Sequence, residues 1–262
     1  MLLEGKSIVI MGAGAGVGRA AALIFARNGA KLVCADVVAA RAEETAALVN
    51  AEGFPAIAAT CDVSKEDQVE AAIAAAVGKY GRLDVIFNNV GIASNRTGGG
   101  TGPGFVDSGD DESQLLSDVN FRGVVNGCRH AIRQFLKQGD GQGAIVNTAS
   151  VAGLVGWGGS IYGATKGAVV QLTRGLAIEY APQGIRVNCV CPAGMITNFG
   201  QPLDSKIREA TPEMKEVVGK MHPLGRPIDP EDPANAAMFL ASDLARNLTG
   251  VILPVDGGYV AR

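Results

Sequence analysis

A doubly wound α/β domain, with a seven-stranded parallel sheet covered by helices on both faces, is the fold class this sequence predicts. Three observations predict it. Apolar runs of strand length alternate with helical patterns along the whole 262-residue chain, as successive β–α units require. The first of those runs leads straight into a glycine-rich turn, Gly12-Ala-Gly-Ala-Gly16-Val-Gly18, and then into a helical stretch. A composition of 47% hydrophobic residues with 36 glycines argues for a packed interior with close backbone approaches, and against disorder. One core suffices at this length, so a single domain over 1–262 is expected.

Strands are expected at 7–11, 31–36, 56–61, 85–88, 144–148, 186–190 and 251–255. These runs are short and mostly apolar throughout, which is how a strand buried on both faces reads. The 3.6-residue period places helices at 17–28, 39–52, 65–80, 113–138, 160–180 and 230–240. Two stretches break the alternation. Residues 92–112 are rich in Gly, Thr and Ser as far as position 109, and residues 195–226 carry Pro202, Pro212 and Pro223. Both follow strands, and ligands of such sheets bind outside the carboxyl ends of the strands, so these excursions are the expected substrate walls. The insertion at 97–104 reads equally as a lid or as a passive surface loop.

Charge and cysteine content narrow the function classes. Twenty-three basic and 26 acidic residues leave a net charge of −3, with no electrostatic footprint for nucleic acid or an anionic membrane. No run is long enough to span a membrane, and residues 1–6 lack the pattern of a secretory signal. Cys34, Cys61, Cys128, Cys189 and Cys191 match neither a disulfide framework nor a zinc site. Reduced thiols in a cytoplasmic protein are therefore expected, with Cys189 and Cys191 filling core. The two histidines, His130 and His222, are read as surface or helix residues, and no metal site is expected.

The glycine turn carries the first chemical signal. Gly12, Ala15, Gly16, Val17 and Gly18 stand between a strand and a helix N-terminus, where backbone can approach a pyrophosphate and free N–H groups can bind it. That is the dinucleotide site of a Rossmann fold. Asp36 ends the next strand, eighteen residues past Gly18, and is read as the acceptor for the adenosine ribose hydroxyls. Its charge would repel a 2′-phosphate. Ala15 precedes Gly16, and Val37 and Val38 follow Asp36, so no neighbouring cation is expected to offset that repulsion and NAD is the expected cofactor.

The second signal is Tyr162-Gly-Ala-Thr-Lys166, whose outer residues share one face of a helix. A tyrosine has an ordinary pKa of about 10, so work as an acid or base near neutral pH calls for a nearby cation. Lys166 is expected to lower the phenol's pKa, and an oxidised nicotinamide lying over it would push the same way. The two signals together suggest hydride transfer.

The remaining motifs are Asn88-Asn89-Val90-Gly91, Asn120 in Asp-Val-Asn-Phe, Ser150 after the fifth strand, Pro192-Ala-Gly-Met-Ile-Thr197, and Val255-Asp-Gly-Gly258. On these, essentially the whole chain resembles a classical short-chain dehydrogenase/reductase. The resemblance implies a catalytic tetrad of Asn120, Ser150, Tyr162 and Lys166. In it Ser150 would bond the substrate oxygen, Tyr162 would exchange the hydroxyl proton, and Lys166 would hold the nicotinamide ribose. Asn120 would hold a water linking Lys166 to solvent. The resemblance further implies Asp62 and Val63 at the adenine, Asn88 and Gly91 on the ribose side, and Pro192, Met195 and Thr197 at the nicotinamide half.

It also implies a homotetramer built by pairing helices 113–138 and 160–180 and by the C-terminal strand region. Ala164, Gly167, Ala168, Gly175 and Ala177 are small enough for such packing, or for facing the sheet. The chain departs from the family pattern at Met11, Val90 and Ala193, where Thr, Ala and Gly are common. It is one residue short between Ser150 and Tyr162 and long between Gly91 and Asn120. These changes reshape the substrate rim and leave the tetrad intact.

Val151, Leu154, Trp157 and Ile161 on one side, with Met195, Ile196, Phe199 and Leu203 on the other, form an apolar wall with no arginine clamp. A neutral secondary alcohol or ketone, cyclic among the options, is the expected substrate, over a phosphorylated sugar or small acid. Trp157 reads equally as wall or as core. A 3-oxoacyl-(acyl carrier protein) reductase is the alternative enzyme, although Lys137-Gln-Gly-Asp-Gly-Gln-Gly offers an acidic carrier a poor docking patch. A catalytically silent NAD-binding protein is the alternative outside enzymes; it would need neither Ser150 nor Tyr162.

Overall fold

In the computed structural model, residues 1–94, 104–203, 205–207 and 209–262 are described. Residues 95–103, which hold most of the 97–104 insertion, and positions 204 and 208 lie outside the described residues. The strands are β1 (Ser7–Met11), β2 (Lys31–Asp36), β3 (Ala56–Thr60), β4 (Val85–Asn88), β5 (Gly143–Thr148), β6 (Ile185–Pro192) and β7 (Ile252–Val255). They form one parallel sheet in the order β3-β2-β1-β4-β5-β6-β7. The inner strands β1 and β4 are buried throughout, and the edge strands β3 and β7 are only partly covered. That is why the inner runs read as continuous hydrophobic segments.

Alternation along each strand divides the interior into two cores. Val9 and Met11 of β1 face one core, with Val69, Val124 and Val169 from helices α3 (Glu66–Tyr80), α5 (Gly123–Gln138) and α6 (Ser160–Tyr180). Ile8 and Ile10 face the other, with Phe25, Val49 and Leu240 from α1 (Gly16–Arg27), α2 (Ala39–Ala51) and α8 (Glu231–Ala241). The period of two in side-chain direction thus commits each strand to a helix layer on both sides. The strand order reverses at β1, which is flanked by β2 and β4, so the segments leaving β1 and β4 part and open a crevice at the sheet's carboxyl edge.

Three expectations need correcting. The helix expected at 113–138 is two helices, α4 (Asp110–Ser117) and α5, joined by a π-helical turn at Asp118–Arg122. The 195–226 excursion contains a helix of its own, α7 (Pro212–Gly219), begun by Pro212 in the first turn and by the Thr211 hydroxyl accepting from Met214 N at 3.3 Å. His222, expected at the surface or on a helix, is outside any helix and buried at 3% exposure, whereas His130 is a helix residue as expected, on α5 and 5% exposed. His130 lies on the inner side of α5, where its Nε2 is 3.0 Å from Glu66 Oε1 of α3. The small residues of α6 divide between faces: Ala164 and Gly175 are exposed, and Ala177 is buried against the sheet.

All five cysteines are buried and unpaired. Burial pushes the Cys34 and Cys128 thiols up to about 12, which suits the reading of these residues as core.

Candidate active site

The turn after β1 is shaped by glycine where nothing larger fits. A Cβ on Gly18 would overlap the Gly12 carbonyl oxygen, and one on Gly12, at φ +79°, would lie 2.5 Å from Asn89 O. Gly18→Ala is therefore expected to destabilise the chain by at least about 2 kcal/mol, read by denaturant unfolding, because the clash is with backbone and cannot relax by rotamer change. Wild-type stability in that variant would refute the packing described. Ala15, Gly16 and Val17 start α1, which has no capping side chain and no acidic residue in its first turn, so its free N–H groups are open to an anion. This cradle fits a pyrophosphate.

Asp36 sits beside it at the end of β2. Its Oδ2 accepts from Gly14 N at 2.8 Å and its Oδ1 from Val38 N at 3.0 Å, which fixes the carboxylate and leaves each oxygen a further lone pair. The expectation that no cation stands nearby needs correcting. A Cβ on Gly14 would lie 2.7 Å from both Asp36 Cγ and Arg41 Cβ, so Arg41 of α2 shares the corner. Its Nη2 donates to Ser205 O at 2.5 Å, across to the second excursion. Arg41 is five residues beyond Asp36, and helix periodicity alone did not mark it as facing inward.

Asp62 and Val63 follow β3. The Asp62 Oδ1 accepts from Ser64 N at 3.0 Å and Ser64 Oγ at 2.8 Å, and Val63 O accepts from Asn126 Nδ2 at 2.9 Å. Asn88 turns its side chain into the interior. Its Nδ2 donates to Asn147 Oδ1 at 2.9 Å, and its Oδ1 is buried without a hydrogen-bond partner, pressed toward Gly127 of α5. The adjoining Asn89 tethers the crevice instead, with Nδ2 3.4 Å from Gly12 O and Oδ1 accepting from Thr148 Oγ1 at 3.2 Å.

At the sheet's carboxyl edge the four tetrad positions come together. Ser150 caps a short 3-10 turn at Val151–Gly153; its hydroxyl accepts from Ala152 N at 3.1 Å, lies 3.4 Å from Pro192 O and hydrogen-bonds the Tyr162 phenol. Lys166, one helical turn on from Tyr162, holds its Nζ 5.9 Å from the Tyr162 ring centroid and donates to Thr148 O at 3.1 Å and Val90 O at 3.4 Å. A Cβ on Gly91 would lie 3.1 Å from Lys166 Nζ and 3.4 Å from Asn120 Oδ1, so both groups converge on that glycine.

Asn120 belongs to the π-helical turn, a distortion often found at functional sites. Its Oδ1 accepts from Ile92 N at 2.7 Å and its Nδ2 donates to Ile92 O at 3.0 Å, clamping the start of the first excursion. Thr165, which the sequence did not single out, accepts from Asn120 Nδ2 at 3.5 Å and donates to Tyr162 O at 2.7 Å.

Burial decides the charge state of this cluster. It pushes the Tyr162 phenol up to about 12, against the Ser150 hydrogen bond, and pulls the Lys166 ammonium down to about 8. The expected lowering of Tyr162 by Lys166 thus does not arise in the chain by itself. Both groups are shifted toward their neutral forms because desolvation outweighs their mutual influence at this separation.

The apolar residues divide between pocket and core. Val151 is fully buried with Ala193 and Ile228, and Trp157 and Met195 pack over them, as do Tyr259 and Val260 of the C-terminal segment, which the sequence reading missed. Ile161 packs with Leu116, Ala152 and Tyr162. Phe199 crosses to stack edge-on against Tyr162, with ring centroids 5.8 Å apart, and is 41% exposed. Leu154 and Ile196 are half-buried and Leu203 is exposed. Thr197 reaches back to the glycine turn, 3.4 Å from where a Cβ on Gly16 would stand. Next to Ile161, Ser94, Ser108, Glu112, Ser113 and Ser160 line a cavity of about 80 Å³.

A family model described as Enoyl-(Acyl carrier protein) reductase matches residues 12–260. The chain is 38% identical to tropinone reductase-like 1 of Erythroxylum coca, over 98% of this chain and 91% of that protein. It is 37% identical to meso-2,3-butanediol dehydrogenase of Serratia marcescens, over 100% and 97%. A 3-ketoacyl-(acyl-carrier-protein) reductase from Brucella melitensis, crystallised with NADH, superposes with a TM-score of 0.84 at 38% identity, over 98% of this chain and 99% of that one.

Proposed function

Because the chain belongs to the short-chain dehydrogenase/reductase family, we propose that it is an NAD-dependent oxidoreductase interconverting a neutral, apolar or cyclic secondary alcohol and its ketone. One observation carries this reading: Ser150, Tyr162 and Lys166 are buried together at the sheet's carboxyl edge, beside a glycine cradle suited to a dinucleotide. The Ser150 hydroxyl orients the substrate oxygen. The Tyr162 phenol gives it a proton during reduction and takes one during oxidation. Lys166 lies behind the phenol, held by two carbonyls, and supplies the charge that turns over with that proton.

When bound, the nicotinamide supplies the hydride acceptor and, when oxidised, a positive charge near the phenol. The cradle of Gly12, Ala15, Gly16, Val17 and Gly18 would hold its pyrophosphate and Asp36 its adenosine ribose, with Asp62 and Val63 at the adenine. Backbone at Asn88 and Gly91, with Tyr162 and Lys166, would border the nicotinamide ribose. Pro192, Met195 and Thr197 would flank the ring.

The apolar contacts of Trp157, Ile161 and Phe199, with the buried Val151 beneath, support an uncharged substrate. Five buried thiols support a reducing, cytoplasmic setting. Exposed Ile178 on α6 and Leu136 on α5 support a homotetramer paired through those helices. The likeness to the Brucella reductase supports a second reading, reduction of a 3-oxoacyl thioester.

Turnover of NAD and NADP with cyclic, aromatic and steroid secondary alcohols and a 3-oxoacyl thioester, followed by reduced-nicotinamide absorbance, tests these readings. Asp36→Ala is expected to lower kcat/KM with NAD on the order of tenfold and to favour NADP relatively, because Arg41 remains in that corner. Preference of the wild type for NADP would sink the role given to Asp36. Tight NAD binding with no turnover on any substrate would favour a silent binding protein.

A further inference from the structure

The cavity of about 80 Å³ beside Ile161 borders the reacting end of the site. Leu116 and Ile161 line it and also pack with Tyr162. Ser94, another lining residue, donates its hydroxyl to Gly158 O at 3.4 Å, and a Cβ on Gly158 would stand 3.1 Å from Cδ1 of the Tyr162 ring. One layer of side chain and backbone therefore separates the cavity from the catalytic phenol. A water molecule's share of liquid volume is about 30 Å³, so the space takes a hydroxyl and the carbon bearing it, not a second ring.

The hydrogen-bonding character of the lining selects among possible occupants. Ser108 donates to Phe105 O at 2.8 Å and Ser113 to Gly109 O at 3.5 Å, as Ser94 does to Gly158 O. These three hydroxyls spend their hydrogens on backbone and keep lone pairs for another donor. Glu112 adds a carboxylate with about four lone-pair sites, more than a single partner takes up. At another edge α6 begins. Gly159 is its N-cap without a capping side chain, and its first turn holds no acidic residue, so the positive end of the helix meets the cavity at Ser160 and Ile161. An ammonium group would suit the acceptors but be repelled by that helix end. A substrate carboxylate would be repelled by Glu112, with Asp110 and Asp111 beside it in the first turn of α4. An apolar group would leave the acceptors unserved. A hydroxyl both donates and accepts, and satisfies the whole lining.

We propose that this cavity is a subsite for a second hydroxyl of the substrate, so that the substrate class is a neutral diol or the matching hydroxyketone, selected by Glu112 and Ser113. The inference rests on the reading of Ser150 and Tyr162 as acting on a secondary alcohol, and adds to it the group carried at the far end. Only one carbinol is oxidised. The second hydroxyl stays intact and serves as a handle that lowers KM.

Initial rates with NAD on cyclohexanol, the positional cyclohexanediols and an aminocyclohexanol test this, with the double variant Glu112→Ala, Ser113→Ala beside the wild type. In the wild type at least one diol is expected to exceed cyclohexanol in kcat/KM on the order of tenfold, mainly through KM, and in the double variant that ratio should fall to near one. Equal kcat/KM for cyclohexanol and every diol overturns the inference and leaves the alcohol reading standing. A diol preference that survives in the double variant overturns it as well. Preference for the aminocyclohexanol over the diols overturns it in favour of an ammonium-binding site. The wild-type comparison decides alone where the variant does not fold. NADH binding without turnover of any alcohol or diol ends this inference and the reading beneath it together.

Discussion

Tyr162→Phe is expected to lower kcat by at least about a thousandfold and to leave NADH binding essentially unchanged. The substitution removes one hydroxyl and keeps the ring that packs on Phe199, Leu116 and Ala152, so the fold has little to lose. Ser150 retains its bonds to Ala152 N and Pro192 O. What disappears is the group proposed to move a proton beside the substrate oxygen. Steady-state kinetics with a fluorescence titration of NADH separates the two effects, and turnover near the wild-type rate would take proton transfer away from Tyr162.

A second large effect concerns Lys166 and pH. Its ammonium is pulled from an ordinary 10.5 to about 8 by burial, so between these values the unfolded chain carries a proton that the folded chain has shed. Folding stability from this group therefore rises with pH from about 8 to about 10.5, and below 8 the buried charge costs its full amount. A shift of this size corresponds to about 3 kcal/mol. Lys166→Met has no such titration. Measured against that variant, the wild type should gain roughly that amount across the window, even though the variant also gives up hydrogen bonds to Val90 O and Thr148 O at every pH. Tyr162 acts in the opposite sense above pH 10, where its raised value costs stability, so the comparison is best made in a Tyr162→Phe background. Parallel pH profiles for the two proteins would refute the buried, depressed ammonium.

Much of this architecture was legible from the chain because the governing patterns are local. Strand-length apolar runs located all seven strands, and the Tyr162 to Lys166 spacing fixed one face of α6. What escaped depends on contacts between distant segments. The π-helical turn at Asp118–Arg122 is set by Asn120 reaching Ile92, 28 positions away, and no period in the sequence encodes that extra residue. The burial of His222 depends on carbonyls from the ends of β6 and β7. Arg41 comes against Gly14 and Ser205 only through the fold, five residues beyond the Asp36 that the motif marked. The raised Tyr162 was hidden for a related reason: spacing reveals a neighbouring charge, but only packing reveals how dry the site is.

The bond from Arg41 to the Ser205 carbonyl spans from the Asp36 corner to the segment that carries Phe199 over Tyr162. A tie between the two surfaces proposed to hold nucleotide and substrate cannot act in one direction only. Whatever free energy it transmits, occupation of the nucleotide corner must alter affinity at the Phe199 wall by the same factor by which occupation of that wall alters affinity for the nucleotide.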